Sequence, residues 1–266
     1  MKQTNLSSVI GRWFVIAVPY TWLLVLFLIP FLIVLKISFA EQDIAIPPYT
    51  PLVTTDSDMG RVVLQASYLN YTDIFKDFGS SLGQILNPFH DGNGENIYLQ
   101  TYWSSVKTAL IVTVLCLLLG YPIAYAISRV REDIRNGVLL LIMLPFWTSF
   151  LLRVYAWMGI LSTTGLVNTW LQNWGIIDGP LDLFYNQFSL ILVMVYAYLP
   201  FMILPLYTQL LKLDHRLLEA AGDLGASPIK SFLTITLPLS KVGMIAGSML
   251  VFIPSVGEYV IPELVG

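Results

Sequence analysis

Residues 211–240 read LKLDHRLLEAAGDLGASPIKSFLTITLPLS, a polar stretch set between two strongly apolar segments. Asp214 is suited to cap a short helix that shows Leu217, Leu218, Ala221 and Leu224 on one side. Gly225 stands where such a helix ends in a left-handed residue, a conformation that only glycine adopts cheaply. Ser227-Pro228 restarts the chain, with serine as the cap and proline at the first helical position, where no N–H is needed. The pattern predicts a helix, a sharp bend and a second helix at a membrane surface. A membrane protein builds such a feature where something outside the bilayer must grip it.

Composition sets the frame around that stretch. Hydrophobic residues make up 56% of the 266 and charged ones 12%, far from the balance of a water-soluble domain. The mean hydropathy is +0.72, and several apolar runs are long enough to cross a bilayer. A formal charge of −3 gives nucleic acid little to bind. The one cysteine, Cys116, falls inside an apolar run, which excludes a disulfide framework and reads as a small packing residue.

From the N-terminus, the run Trp13–Phe39 is broken only by Lys36. It is far longer than the roughly 7–15 residues of a signal-peptide core, and so predicts an uncleaved first helix. Residues 41–98 form the large hydrophilic region, punctuated by Pro47, Pro48, Pro51 and Asp91-Gly92-Asn93-Gly94, with room for one short helix between about Val62 and Phe78. Eight acids there face only Arg61 and Lys76. That excess fits an outer face, and the region reads as a decorated loop, not a domain. Further spans are expected over 99–128, 137–161 and 188–211, and a last one over about Val242–Pro262. Residues 162–187, holding Asp178 and Asp182 but no Lys or Arg, are expected as an outer loop. Basic residues therefore cluster at the N-terminal tail, at Arg129, Arg131 and Arg135, and at Lys212, Arg216 and Lys230. The positive-inside rule places these on the cytoplasmic side, the N-terminus included.

Catalytic chemistry is not visible. His90 and His215 sit in opposite aqueous regions and cannot share a metal. No Gly-x-x-x-x-Gly-Lys-Ser/Thr phosphate loop occurs, and no Ser/His/Asp grouping. No catalytic residue, metal site or cofactor is expected, so driving energy must come from a partner. A secondary transporter would carry ionisable groups at mid-membrane and a repeat between its halves. Here Lys36, Lys107, Arg153 and Glu258 all fall toward the outer ends of their runs, and no repeat is present. A membrane scaffold would have no need of the spacing in 219–238. Glu258 admits three readings: attraction of a cationic solute, neutralisation of Arg153, or simple snorkelling of both into headgroups.

That spacing also carries a resemblance. Glu219-Ala220-Ala221, three residues, Gly225, nine residues and Ile235-x-Leu237-Pro238 together resemble the signature of permease subunits in binding-protein-dependent ABC importers. All seven fixed residues are present across twenty positions. The resemblance implies an all-α integral membrane protein of the type I, MetI-like helical-bundle class, a single permease domain over 1–266 with 41–98 periplasmic and 211–240 the cytoplasmic coupling region. Five spans are expected here, with the family's last helix missing, so the chain reads as truncated or a fragment. Coupling to an ATPase would fall on Glu219, Ala220, Ala221, Asp223, Gly225, Ala226 and Ser227. Implied partners are an ATPase dimer that hydrolyses ATP, a second permease subunit, a periplasmic substrate-binding protein and the lipid bilayer of a bacterial inner membrane. Leu119-Gly120-Tyr121-Pro122, Phe146 to Tyr155, Ala45 to Tyr49 and Pro254 to Leu264 are similar to polyamine importer permeases, most of all the putrescine type. That implies polyamine transport, with Trp147, Tyr155 and Glu258 along the substrate path, although a permease for another small solute shares most of these features.

Overall fold

The computed structural model describes residues 6–41, 43–44, 49–51, 53–55, 62–64, 66–76, 97–214 and 216–266. Both histidines and the expected breaks at Pro47, Pro48 and Asp91–Gly94 lie outside those residues. The chain divides into two units, 1–100 and 101–266.

In the first unit, α1 (Leu6–Ser38) is a 33-residue helix, and Val15–Ser38 is apolar enough to cross a bilayer. Its side chains from Val15 to Ile37 are all exposed, and its backbone groups bond within the helix, as a bilayer requires. Beyond it, β1 (Val53–Thr55) pairs antiparallel with β2 (Val62–Leu64). The short helix expected between Val62 and Phe78 is confined to α2 (Leu69–Phe75), because Val62-Val63-Leu64 is β-favouring sequence and takes the ladder instead. Asn70 pins α2 to the end of α1 by donating from Nδ2 to the carbonyls of Ser38 (3.1 Å) and Ala40 (2.8 Å). Phe39 packs between the rings of Tyr68 and Tyr71.

In the second unit the regular secondary structure among the described residues is all helical. Its elements are α3 (Ile97–Arg129), α4 (Glu132–Met143), α5 (Phe150–Leu161), α6 (Leu166–Asn173), α7 (Gln187–Leu211), α8 (Arg216–Asp223), α9 (Pro228–Leu239), α10 (Lys241–Val256) and α11 (Val260–Val265). The α7 helix is the axis of the core. Val193, Met194, Ala197, Met202, Ile203 and Leu206 are buried along it, and α3, α5, α10 and α11 contribute Cys116, Val154, Val251 and Ile261 to the same cluster. Asn186 starts α7 with a capping box, its side chain accepting from Ser189 N–H at 2.9 Å while Ser189 Oγ accepts from the Asn186 backbone. Cys116 packs as expected, fully buried, with Sγ 3.7 Å from the Val195 carbonyl.

Helix α10 packs closely along α7. Gly243, Gly247, Val251 and Ser255 recur every four residues on α10 and are all buried. A Cβ added at Gly243 would stand 2.8 Å from Gln209 Cβ and 3.0 Å from the Pro205 carbonyl. Small residues at this spacing let two backbones approach in a bilayer, where dispersion and not water exclusion drives association.

Two expectations for the spans need correction. The run 137–161 is not one helix. After α4, Leu144–Trp147 forms a 3₁₀ turn with Pro145 near its start, and Thr148 and Ser149 are extended (ψ 154° and 137°) before α5 begins. Pro145 lacks the N–H for the helical ladder and its ring crowds the preceding turn, which ends α4. Phe150–Asn173, holding α5 and α6, is the segment long and apolar enough to span, so the supposed outer loop 162–187 is partly helix. Its turn is held by Asn168, buried to 1% exposure, which donates to the Ser162 and Leu181 carbonyls (3.0 Å each) and accepts from Leu181 N–H at 2.8 Å. Likewise the last run does not extend unbroken to Pro262: α10 stops at Val256 and α11 restarts at Val260. The described residues hold four helices long and apolar enough to cross a membrane, and a fifth if α9 and α10, bent by 61°, count as one broken span.

Candidate functional site

The stretch 211–240 folds as its residues dictate. Asp214 Oδ1 accepts from the Arg216 backbone N–H at 3.0 Å and caps α8. The helix closes at Gly225, where φ is +80°: Gly225 N–H donates to the Gly222 carbonyl at 2.8 Å and Ala226 N–H to that of Ala221 at 2.9 Å. These are the two bonds of a Schellman ending. Nothing lies within 4 Å of a Cβ placed on Gly225, so backbone conformation alone, not crowding, demands glycine. Ser227 accepts from Lys230 N–H at 3.4 Å and Pro228 opens α9.

Of the expected coupling residues, Glu219, Ala220, Asp223, Gly225 and Ser227 are exposed, while Ala221 and Ala226 are half-buried. Glu219 and Asp223, four apart, share a helix face. The proposed apolar side is split: Leu218 and Ala221 turn inward, but Leu217 and Leu224 are exposed, Leu224 to 89%. An eight-residue helix ending in a left-handed turn cannot carry Leu224 back to its buried side. Ile229, just past the bend, is 74% exposed as well.

Behind it lies a joint that sequence reading missed. Phe232 packs edge-on against Tyr121 and Tyr125, each with centroids 5.7 Å apart. Tyr121 Oη and Ser240 Oγ share a buried hydrogen bond of 2.9 Å at the α9–α10 bend. Phe232–Thr236 forms a single π turn, with Leu237 N–H donating to the Phe232 carbonyl. Such turns are rare, and they concentrate where a helix is under functional constraint. Pro238, which has no N–H to give, follows directly. Arg129 donates from Nη2 to Tyr125 Oη at 2.9 Å and lies over that ring, 5.0 Å from its centroid. Arg129, Leu218 and Pro228 line one cavity of about 280 Å³, so the 129 end of α3 and the 211–230 segment lie at the same end of this unit.

Among the described residues, no hydrogen bond or ring contact joins the candidate substrate-path residues to one another. Trp147 is 80% exposed in the 3₁₀ turn and Tyr155 53% exposed on α5. Glu258 fills the break between α10 and α11. Its Oε1 accepts from Val260 and Ile261 N–H at 3.1 and 3.3 Å, and Oε2 accepts from Tyr198 Oη. Arg153 does not pair with it. Because α5 starts at Phe150, Arg153 lies in that helix's first turn, its guanidinium 4.9 Å from the Phe146 ring centroid and 5.6 Å from that of Phe150. Its Nε is buried without a hydrogen-bond partner. Tyr198 carries no sequence signal of this role, whereas the glycine pair at 243 and 247 did carry one.

Comparison with known proteins agrees with this architecture. Residues 111–266 match the family described as the binding-protein-dependent transport system inner membrane component. The spermidine/putrescine transport system permease protein PotB of Haemophilus influenzae is 37% identical over 94% of this chain and 76% of its own length. The PotB of Escherichia coli K12 is 34% identical over 92% and 77%. The inner membrane ABC transporter permease protein YdcU of the same organism is 33% identical over 61% and 56%. With the family's domain over more than half its length and relatives of this identity along nearly all of it, the chain belongs to the inner-membrane permease components of binding-protein-dependent ABC importers.

Proposed function

We propose that this permease imports polyamines, spermidine or putrescine, and takes its energy from ATP hydrolysed by a partner that grips the 211–240 segment. The carrying observation is the surface at the Schellman bend. Glu219 and Asp223 project from one face of α8, and Leu224 and Ile229, on either side of the bend in sequence, are bare. A carboxylate pair bordered by exposed apolar side chains suits a protein groove with basic residues at its rim. In this reading Glu219, Ala220, Ala221, Asp223, Gly225, Ala226 and Ser227 form the docked element, the N-terminus and Arg129–Arg135 face the cytoplasm, and residues 41–98 face outward. A second permease subunit completes the pore, and an external binding protein delivers the solute. Trp147 and Tyr155 offer aromatic faces to an alkylammonium, and Glu258 supplies negative charge. The substrate class rests on the relatives named above, which are spermidine/putrescine permeases.

Glu219→Lys puts a like charge against a basic rim and leaves α8 intact. The variant should insert at wild-type levels yet lose co-purification with the ATPase in mild detergent, and lose uptake with it. Normal uptake at equal expression would refute the docking role. Stimulation of the assembled ATPase by spermidine or putrescine, and not by amino acids or sugars, tests the substrate class.

A further inference from the structure

The cavity behind α8 has a donor set that coupling to an ATPase does not explain. Its wall includes Tyr125 and Arg129 from α3, Leu218 and Gly222 from α8, and Ser231 and Thr236 from α9. Thr236 is 1% exposed and its hydroxyl has no hydrogen-bond partner. A helical threonine ordinarily returns its hydroxyl to the carbonyl of the preceding turn, as Thr234 does to Lys230 at 2.7 Å. Thr236, at the end of the π turn, does not. A buried hydroxyl with no partner is destabilising unless something fills the space beside it. Ser231, 6% exposed, lines the same cavity.

Charge identifies the ligand. The cavity lining holds one cation and no acid. Arg129 has no carboxylate within ion-pairing distance among the described residues, whereas neighbouring Arg131 is matched to Asp133 at 2.9 Å. Stacking on Tyr125 and the bond to its hydroxyl hold the Arg129 guanidinium in place and leave most of its donors free. A fixed guanidinium with two hydroxyls is a donor set for an oxyanion with several acceptor oxygens.

We infer that this cavity binds a phosphate group, with the headgroup of an anionic phospholipid as its source. Arg129 lies in the last turn of a helix long and apolar enough to cross a bilayer, and the end of such a helix falls among headgroups. The volume of about 280 Å³ holds a phosphate with its glycerol. The inference rests on the cytoplasmic placement of this end, where the leaflet surface is anionic. An occupied site would brace α8 from behind and make the docking segment responsive to lipid.

The test uses the full chain co-purified with its partners in mild detergent, titrated with short-chain phosphatidylglycerol, phosphatidylcholine or inorganic phosphate, with bound ligand counted by native mass spectrometry. Phosphatidylglycerol should bind more tightly than phosphatidylcholine. Arg129→Gln should weaken it about tenfold or more, the value of a charged hydrogen bond. Thr236→Val should weaken it several-fold while leaving the ligand-free melting temperature unchanged or raised, because it removes an unpaired buried hydroxyl. Arg131→Gln should bind as the wild type does. If inorganic phosphate alone saturates the site, the phosphate assignment stands and the lipid source is wrong. Equal binding of both lipids, or equal losses in Arg129→Gln and Arg131→Gln, would overturn the site. ATPase retention read on the same samples separates this failure from failure of the docking role.

Discussion

The contact between α10 and α7 gives a prediction whose order, not only its sign, follows from geometry. At Gly243, an added Cβ meets Gln209 Cβ at 2.8 Å, the Pro205 carbonyl at 3.0 Å and Leu206 Cα at 3.3 Å. All three are backbone or the first side-chain atom of a helix, and none can move without the helix moving. At Gly247 the nearest atom, at 2.8 Å, is Met202 Sδ, the far end of a flexible side chain, and the rigid neighbour is the Met202 carbonyl at 3.1 Å. At Gly137, exposed on α4, nothing lies within 4 Å. Overpacking of a tight contact costs about 1–3 kcal/mol. We therefore expect Gly243→Ala to destabilise by about 2–3 kcal/mol and Gly247→Ala by about 1 kcal/mol. Gly137→Ala should be neutral or stabilising by up to about 1 kcal/mol through helix propensity. Reversible unfolding in detergent, followed by tryptophan fluorescence, measures all three. A second layer sharpens the test: Met202→Ala should relieve Gly247→Ala but not Gly243→Ala, a coupling that a double-mutant cycle resolves. If Gly243→Ala is as stable as Gly137→Ala, or if the two α10 variants come out in reverse order, the close-approach argument fails.

Other consequences are more local. Gly225→Ala forces a side chain into a left-handed conformation, at about 1–2 kcal/mol, with no clash to relieve. It should loosen the α8 bend and lower ATPase association, Gly225→Asn should do so less, and protease sensitivity confined to 211–230 would report it. Glu258→Ala removes the acceptor for two backbone N–H groups and Tyr198, and should lower folded protein by about 0.5–2 kcal/mol, as loss of a helix cap does. Glu258→Gln keeps an acceptor for the N–H groups and should preserve folding while slowing uptake if the charge serves the substrate. Unchanged uptake across a full substrate titration would leave Glu258 only its structural role. Arg153→Gln should not rescue Glu258→Ala, since the two side chains do not pair.

Much of this protein is legible along the chain because the signals are local. A spanning helix is announced by the solvent it must satisfy: apolar runs such as Trp13–Phe39 and 188–211 have no other stable use, and their backbone groups must bond internally in lipid. The bend in 211–240 is equally local. Gly225, Asp214 and Ser227 act through hydrogen bonds within six residues, and each does what its position implied. The short-range grammar fails where two local preferences compete, as at 137–161. Hydropathy argued for a continuous span, but Pro145 and the extended pair Thr148-Ser149 end it, and the spanning segment moves to Phe150–Asn173.

What tertiary structure alone decided are the pairings between residues far apart in sequence. Glu258 and Arg153 carry opposite charges at what sequence placed as similar depths, yet the carboxylate goes to Tyr198 and the end of α11, while the guanidinium goes to two phenylalanine rings. Charge can say that such groups need partners; it cannot say which, because the choice depends on helix rotation set by packing such as Gly243 against Pro205. The same holds for Tyr121 with Ser240, 119 residues apart, and for the cavity that joins Arg129 to Thr236. The amino-acid sequence determined the class of protein, the unbroken apolar spans such as 188–211 and the shape of the bend in 211–240, since each follows from solvent and from neighbours in the chain. Which distant side chains meet was left to the close approach of helices, and that is a property of the folded bundle alone.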